Sequence, residues 1–172
     1  MSAKKDIVIQ DACILFDLVE HGLLNIFFQL ELTVITTPQV MVEVENEKQL
    51  SEISIYIKRK QIEIDEEGLL EIIENIAENN PGLSFADCSV MESAKRNKAT
   101  ILSSDGSLRK LAVREDISVH GLVWIIERLY EQKIMKTEDA ILKLNAYAFA
   151  NNRAPKKEIE DLIKLIKEQS IQ

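Results

Sequence analysis

The stretch ATILSSDGSL, residues 99–108, passes from an apolar run directly into a helix. Ala99, Ile101 and Leu102 read as a buried strand, the polar Ser103, Ser104, Asp105 and Gly106 end it, and a helical pattern resumes at Leu108. Two readings of Asp105 follow. It caps the next helix by accepting backbone N–H bonds, or it stands at the carboxyl edge of a parallel sheet, where open α/β folds keep their binding sites.

Outward from that stretch the chain alternates strand and helix. Residues 6–11 form a short apolar strand, and 12–22 carry Ile14, Leu15, Leu18 and Val19 at helical spacing up to Gly22. The β-branched run 32–36 is a second strand, and Thr37 caps a helix with Pro38 at its first position. A helix over 47–60, a strand over 61–65, a helix over 66–80 and a helix begun by Ser84 precede the opening stretch. After it come a helix at 106–115 and a last strand at 117–120. This rhythm predicts a three-layer α/β/α fold around a central, mainly parallel sheet. From Gly121 the pattern is wholly helical, at 122–132, 138–149 and 156–169.

We expect one domain over 1–172, with a core at about 6–135 and a C-terminal helical extension at about 136–172. In the extension, Ile159, Leu162, Ile163 and Ile166 form one apolar stripe. It either packs on the domain or serves a homodimer or a partner helix.

Composition excludes several classes. With 46% hydrophobic residues, 5 Gly and 3 Pro, the chain is neither disordered nor collagenous. No apolar run reaches the roughly 18 residues of a membrane span, and Lys4 and Lys5 lead into a strand rather than a signal-peptide core. A cytoplasmic protein is expected. A net charge of −8 excludes a broad basic face for nucleic acid, but not a local site where bound cations supply the positive charge. Cys13 and Cys88 are too few for a disulfide framework and read as reduced, small buried hydrophobes. His21 suits a helix C-terminus, and His120 and Trp124 read as structural, Trp124 on a core-facing helix.

Four acids gain weight together. Asp11 and Asp105 each end a strand, so a parallel sheet brings both to one edge. Glu43 and Asp87 lie in early turns of helices that start near that edge. Singly, each acid has an ordinary role as a cap or an exposed helix residue. As a cluster, they need raised pKa values or bound cations, and carboxylate oxygens favour Mg²⁺ or Mn²⁺.

In this order the four motifs resemble those of PIN-domain proteins, the metal-dependent ribonucleases that include VapC-type toxins. The first strand ends in Asp11 (IVIQDACIL), Glu43 follows a T-P-x-V helix start (TTPQVMVEVE), Asp87 lies early in LSFADCSVMESAKRNKA, and Ser103 and Asp105 follow the strand in ILSSDGSLRKLA. The segment ISVHGLVWIIERLYEQKIM is similar to the closing strand and helix of prokaryotic members. Cys13 stands where the family often has Asn or Ser, and Cys88 where Ala is common.

The resemblance implies hydrolysis of RNA phosphodiesters, with Mg²⁺ or Mn²⁺ held by Asp11, Asp87 and Asp105 and by Glu43 directly or through water. It implies a hydroxyl hydrogen bond from Ser103 and, for a toxin, an antitoxin partner. Lys95, Arg96, Lys98, Arg109, Lys110 and Arg114 are candidates to touch an RNA backbone, against the alternative of a solvated face in which Arg109 pairs with Asp105 at i+4. Two other readings stand beside this one: a PIN-like module that acts through a protein partner without turnover, and a metal-dependent DNA nuclease acting on structured ends.

Overall fold

A computed structural model describes residues 6–170. Lys4 and Lys5, read above as leading into the first strand, lie outside the described residues. Five strands, β1 (Asp6–Gln10), β2 (Leu32–Thr36), β3 (Glu63–Ile64), β4 (Thr100–Leu102) and β5 (Val119–His120), form one sheet in the order β3-β2-β1-β4-β5. Every pairing is parallel. The expected α/β/α fold is present.

Parallel strands need crossovers, and helices supply them. α1 (Ala12–Glu20) and α2 (Leu24–Phe27) follow β1, and α3 (Pro38–Val42) and α4 (Glu47–Lys58) follow β2. α5 (Leu70–Asn79) and α6 (Phe85–Asn97) follow β3, and α7 (Gly106–Arg114) follows β4. α6 packs on β1 and β4 and touches α3, α5 and α7, whereas α1 packs with α2, α4 and α8 (Leu122–Glu131). Val8, Ile9, Ile101 and Leu102 in the central strands are almost wholly buried, as strands covered on both faces require.

α2 has no counterpart in the sequence reading. Gly22, at φ +62°, turns the chain out of α1, and the apolar run after it folds into one short helical turn that buries Leu23, Leu24 and Phe27. α5 begins at Leu70 rather than at 66: Asp65 Oδ1 accepts from the Glu67 N–H at 3.2 Å in a turn, while its Oδ2 accepts from Ser93 and from Arg96 Nη2 on α6.

α9 (Thr137–Ala150) and α10 (Lys156–Gln169) stack on α8 and on each other. Ile159, Leu162 and Ile166 are buried and Ile163 is partly buried, so the C-terminal stripe packs on the chain's own helices. No described helix is long and apolar enough to cross a membrane.

The sheet positions a site. From β1 the chain runs outward through β2 to β3, then returns to add β4 and β5 on the other side. The order therefore reverses between β1 and β4, and ligands of open α/β sheets bind at the carboxyl ends of strands at such a reversal.

Candidate metal centre

The β1–β4 register sets Ile9 beside Ile101 and Gln10 beside Leu102, so Asp11 leaves β1 where Ser103 leaves β4. The Asp11 N–H donates to Leu102 O at 3.2 Å, which locks that alignment. The Ser103 hydroxyl donates to Asp11 Oδ2 and accepts from the Asp105 N–H at 2.9 Å. One hydroxyl thus joins two acids that the sequence holds far apart.

Each of the three aspartates also caps a helix. Asp11 Oδ1 accepts from Ile14 N–H at 2.9 Å at the start of α1. Asp105 Oδ1 accepts from Ser107 and Leu108 N–H at 2.9 and 2.8 Å at the start of α7. Asp87 completes a capping box with Ser84 at the start of α6, its Oδ2 accepting from Ser84 N–H at 2.9 Å. The N-terminal ends of α1, α6 and α7 thus each carry an acid, which the helix dipole favours, and the charges of these acids act on one another. Capping and clustering are compatible here: one oxygen of each carboxylate fixes its direction, while Asp87 Oδ1 and Asp105 Oδ2 accept no hydrogen bond among the described residues.

The electrostatics follow from burial. Asp11 is 2% exposed. Burial pushes its carboxyl up to about 7, against the hydrogen bonds from Ser103 and Ile14, and the charges of Asp87 and Asp105 push the same way. Burial and the Asp105 charge also raise Asp87, against its bonds to Ser84. The thiol of Cys13 is pushed up to about 12, first by burial and then by Asp11, Asp105, Asp17 and Asp87. Cys13 is thus half-buried, and burial with the nearby acids disfavours its thiolate, while Cys88 is fully buried as expected.

Asp17 was not singled out in the sequence. It lies on α1, raised by burial, and its Oδ2 accepts from Ser104 Oγ at 2.8 Å. A signal exists: Asp17 follows Cys13 at i+4 and so shares its helix face. Glu43 differs from the aspartates. It closes α3 as an exposed residue, with no side-chain hydrogen bond or ion pair among the described residues.

The basic residues separate into two groups. Lys95 pairs with Glu115 at 2.8 Å, Arg96 bonds Asp65 and Glu92, and Arg114 donates to Asn80 Oδ1 at 2.7 Å. These three are occupied by the protein. Lys98 sits in a left-handed conformation closing α6. Arg109 does not pair with Asp105: its Nη1 donates to Ser103 O at 3.0 Å and lies against Gly121. His21 closes α1 and meets Tyr147 edge-on at 5.6 Å. His120 stacks on Trp124 at 4.5 Å, and Trp124 is half-buried with Arg128 on its ring, not wholly core-facing.

The donor chemistry fits a hard divalent cation. The groups are carboxylate oxygens, two of them without hydrogen bonds, around an acid whose ionisation lacks a compensating positive charge. Among the described residues no three His, Cys, Asp or Glu side chains stand together at ligating spacing. A cation here would draw much of its shell from water, as Mg²⁺ habitually does.

A parallel sheet that reverses its strand order between β1 and β4, with helices around it, defines an α/β protein. A family model described as DUF3368, PIN domain, matches residues 7–168, and the chain belongs to the PIN-domain family. Nuclease-type activity is what membership suggests, and PIN domains usually use divalent metals. Among solved structures the chain is similar to PAE2754 from Pyrobaculum aerophilum, with 19% identity and a TM-score of 0.47, over 64% of this chain and 97% of that one. No curated protein matches.

Proposed function

We propose that the chain is a metal-dependent endoribonuclease that hydrolyses RNA phosphodiester bonds at the β1–β4 edge. The observation that supports this most is the linked pair Asp11 and Asp105. Asp11 is buried, bonded through Ser103 to the backbone of Asp105, and within the field of Asp87 and Asp105. Such an arrangement has to be neutralised, by a proton or by a bound cation, and at neutral pH and above a cation does so without a proton.

Asp11, Asp87 and Asp105 would hold Mg²⁺ or Mn²⁺, and Glu43 would join directly or through water. The bound ion supplies a Lewis acid for the phosphoryl oxygen and a water of lowered pKa. The chain's own part is positional. The caps of α1, α6 and α7 fix the direction of each carboxylate, and the Ser103 hydroxyl donates to Asp11 Oδ2, so that Asp11 keeps one orientation. Overall, water adds to phosphorus and the ester oxygen departs with a proton, so no protein nucleophile is needed.

A VapC-type toxin held by an antitoxin is the cellular setting we propose. The partner-binding module without turnover draws on the absence of a converged three-ligand group among the described residues. Cleavage of a mixed RNA pool by the purified chain, with Mn²⁺, with Mg²⁺ and with EDTA, separates the two. Cleavage that needs metal and vanishes in Asp11→Asn and Asp105→Asn is the expected result. No cleavage under any condition overturns the nuclease.

A further inference from the structure

Beside the carboxylates lies a cavity of about 540 Å³. Acids and cations both line it: Asp17 and Asp105 are there with Lys110 and Arg153, beside Cys13 and Asn151. A second cavity, of about 210 Å³, shares Ser104, Gly106, Asn151 and Arg153 with the first and continues it past Arg109 to Gly121. The two adjoin as one trough, to which Asn151 and Arg153 of the loop between α9 and α10 contribute and in which Glu158 of α10 is the acid at the second cavity.

Three cations border this trough, and none of them is in an ion pair among the described residues. Arg109 uses one donor on Ser103 O, and Gly121 leaves room for the guanidinium, because a Cβ there would stand 3.3 Å from Nη1. A guanidinium carries five donors, so most of those on Arg109 are not used by that bond. Arg153 sits in a turn that the protein itself organises, its N–H bonded to Asn151 Oδ1 at 2.9 Å and the residue after it, Ala154, buried just ahead of α10. Lys110 lies one residue after Arg109 on α7. Unpaired cations beside a carboxylate cluster suit a ligand that brings negative charge along the trough and meets the carboxylates at one point.

We propose that Arg153, with Arg109 and Lys110, forms a phosphate subsite that holds a single nucleic-acid strand by its backbone next to the scissile position, so that the α9–α10 loop is part of the substrate site. The inference rests on the nuclease reading for its substrate class, but its test does not need turnover. A phosphodiester within the strand and a phosphomonoester at its end present the same chemistry to these side chains.

The test is fluorescence anisotropy with one labelled single-stranded RNA, prepared with a 5′-hydroxyl and with a 5′-phosphoryl end, in EDTA across a series of NaCl concentrations. Wild type, Arg153→Ala, Arg153→Glu and Lys164→Ala are compared, each checked for folding by circular dichroism. Each backbone contact contributes about 0.7 to the salt slope for single strands. Arg153→Ala should lower the slope by about that amount and weaken binding several-fold, Arg153→Glu should weaken it further, and Lys164→Ala, on the exposed side of α10, should match wild type. A loss seen with both RNA ends assigns the subsite to internal phosphates, and a loss confined to the 5′-phosphoryl RNA assigns it to the chain end. Equal affinity and slope for wild type and both Arg153 variants, or no binding by wild type, overturns the proposal. Because EDTA prevents metal-dependent cleavage, binding lost on substitution in a protein that never cleaves RNA would reject the nuclease and keep the subsite.

Discussion

At the scale of residues, Asp11 is in tension with its surroundings. Its carboxyl is buried and pushed up to about 7, from an ordinary value of 3.8. The sign follows directly. Without metal, the folded state binds this proton more tightly than the unfolded chain does, so the stabilisation is full below about 3.8 and is lost as pH rises through about 7. The loss is on the order of 4 kcal/mol. In EDTA, therefore, Asp11→Asn should melt above wild type at pH 8, and the difference should shrink at pH 5; thermal denaturation at both values checks this. Asp105 makes the complementary case. Asn caps a helix about as well as Asp, whereas Ala costs about 1 kcal/mol. Urea denaturation should find Asp105→Asn close to wild type and Asp105→Ala lower, while both abolish cleavage. Such an outcome separates the cap from the charge, which the sequence alone could not do, since either role puts an acid at that position.

At the scale of elements, α6 is anchored by a network that sequence spacing only half reveals. Arg96 donates from Nε to Glu92 at 2.9 Å and from Nη2 to Asp65 at 2.5 Å, and Asp65 also accepts from Ser93 and from Asn97 Nδ2 at 3.2 Å. Burial would raise Asp65, but the bonds from Ser93 and Arg96 hold it below its usual range. Glu92 is 3% exposed. Replacing Arg96 by Met leaves that carboxylate buried without its partner, and should cost about 3–5 kcal/mol; chemical denaturation of Arg96→Met beside Lys95→Met checks it. Lys95→Met should cost less than about 1 kcal/mol, because its pair with Glu115 is exposed. The i,i+4 link from Glu92 to Arg96 is local and was legible. The link to Asp65 crosses between elements, so the sequence left Arg96 between an RNA contact and a solvated face paired with neighbouring acids, and the structure shows the pairing.

At the scale of the whole molecule, the legible features were those carried by short-range pattern. β-branched runs, caps at Thr37 and Ser84 and the apolar stripe of α10 all appear where expected. The parallel sheet then brings Asp11 beside Ser103 and Asp105, because it aligns the strand ends on either side of the reversal. Features made by distant packing were not legible: Asp17 against Ser104, and the α9–α10 loop against the site edge. That packing is firm. Ile166 is fully buried, so Ile166→Ala should cost about 2–5 kcal/mol in denaturation, whereas the exposed Leu165→Ala should cost less than about 1. The central claim is that the three aspartates form a cation site, and its most direct measurement is calorimetric titration of Mn²⁺ into wild type, Asp11→Asn and Asp105→Asn at pH 6.5. The account predicts saturable binding to wild type with release of a proton, as the cation draws Asp11 into its charged form, and loss of that binding in both variants. Binding of equal strength in all three, or none in wild type, would contradict it.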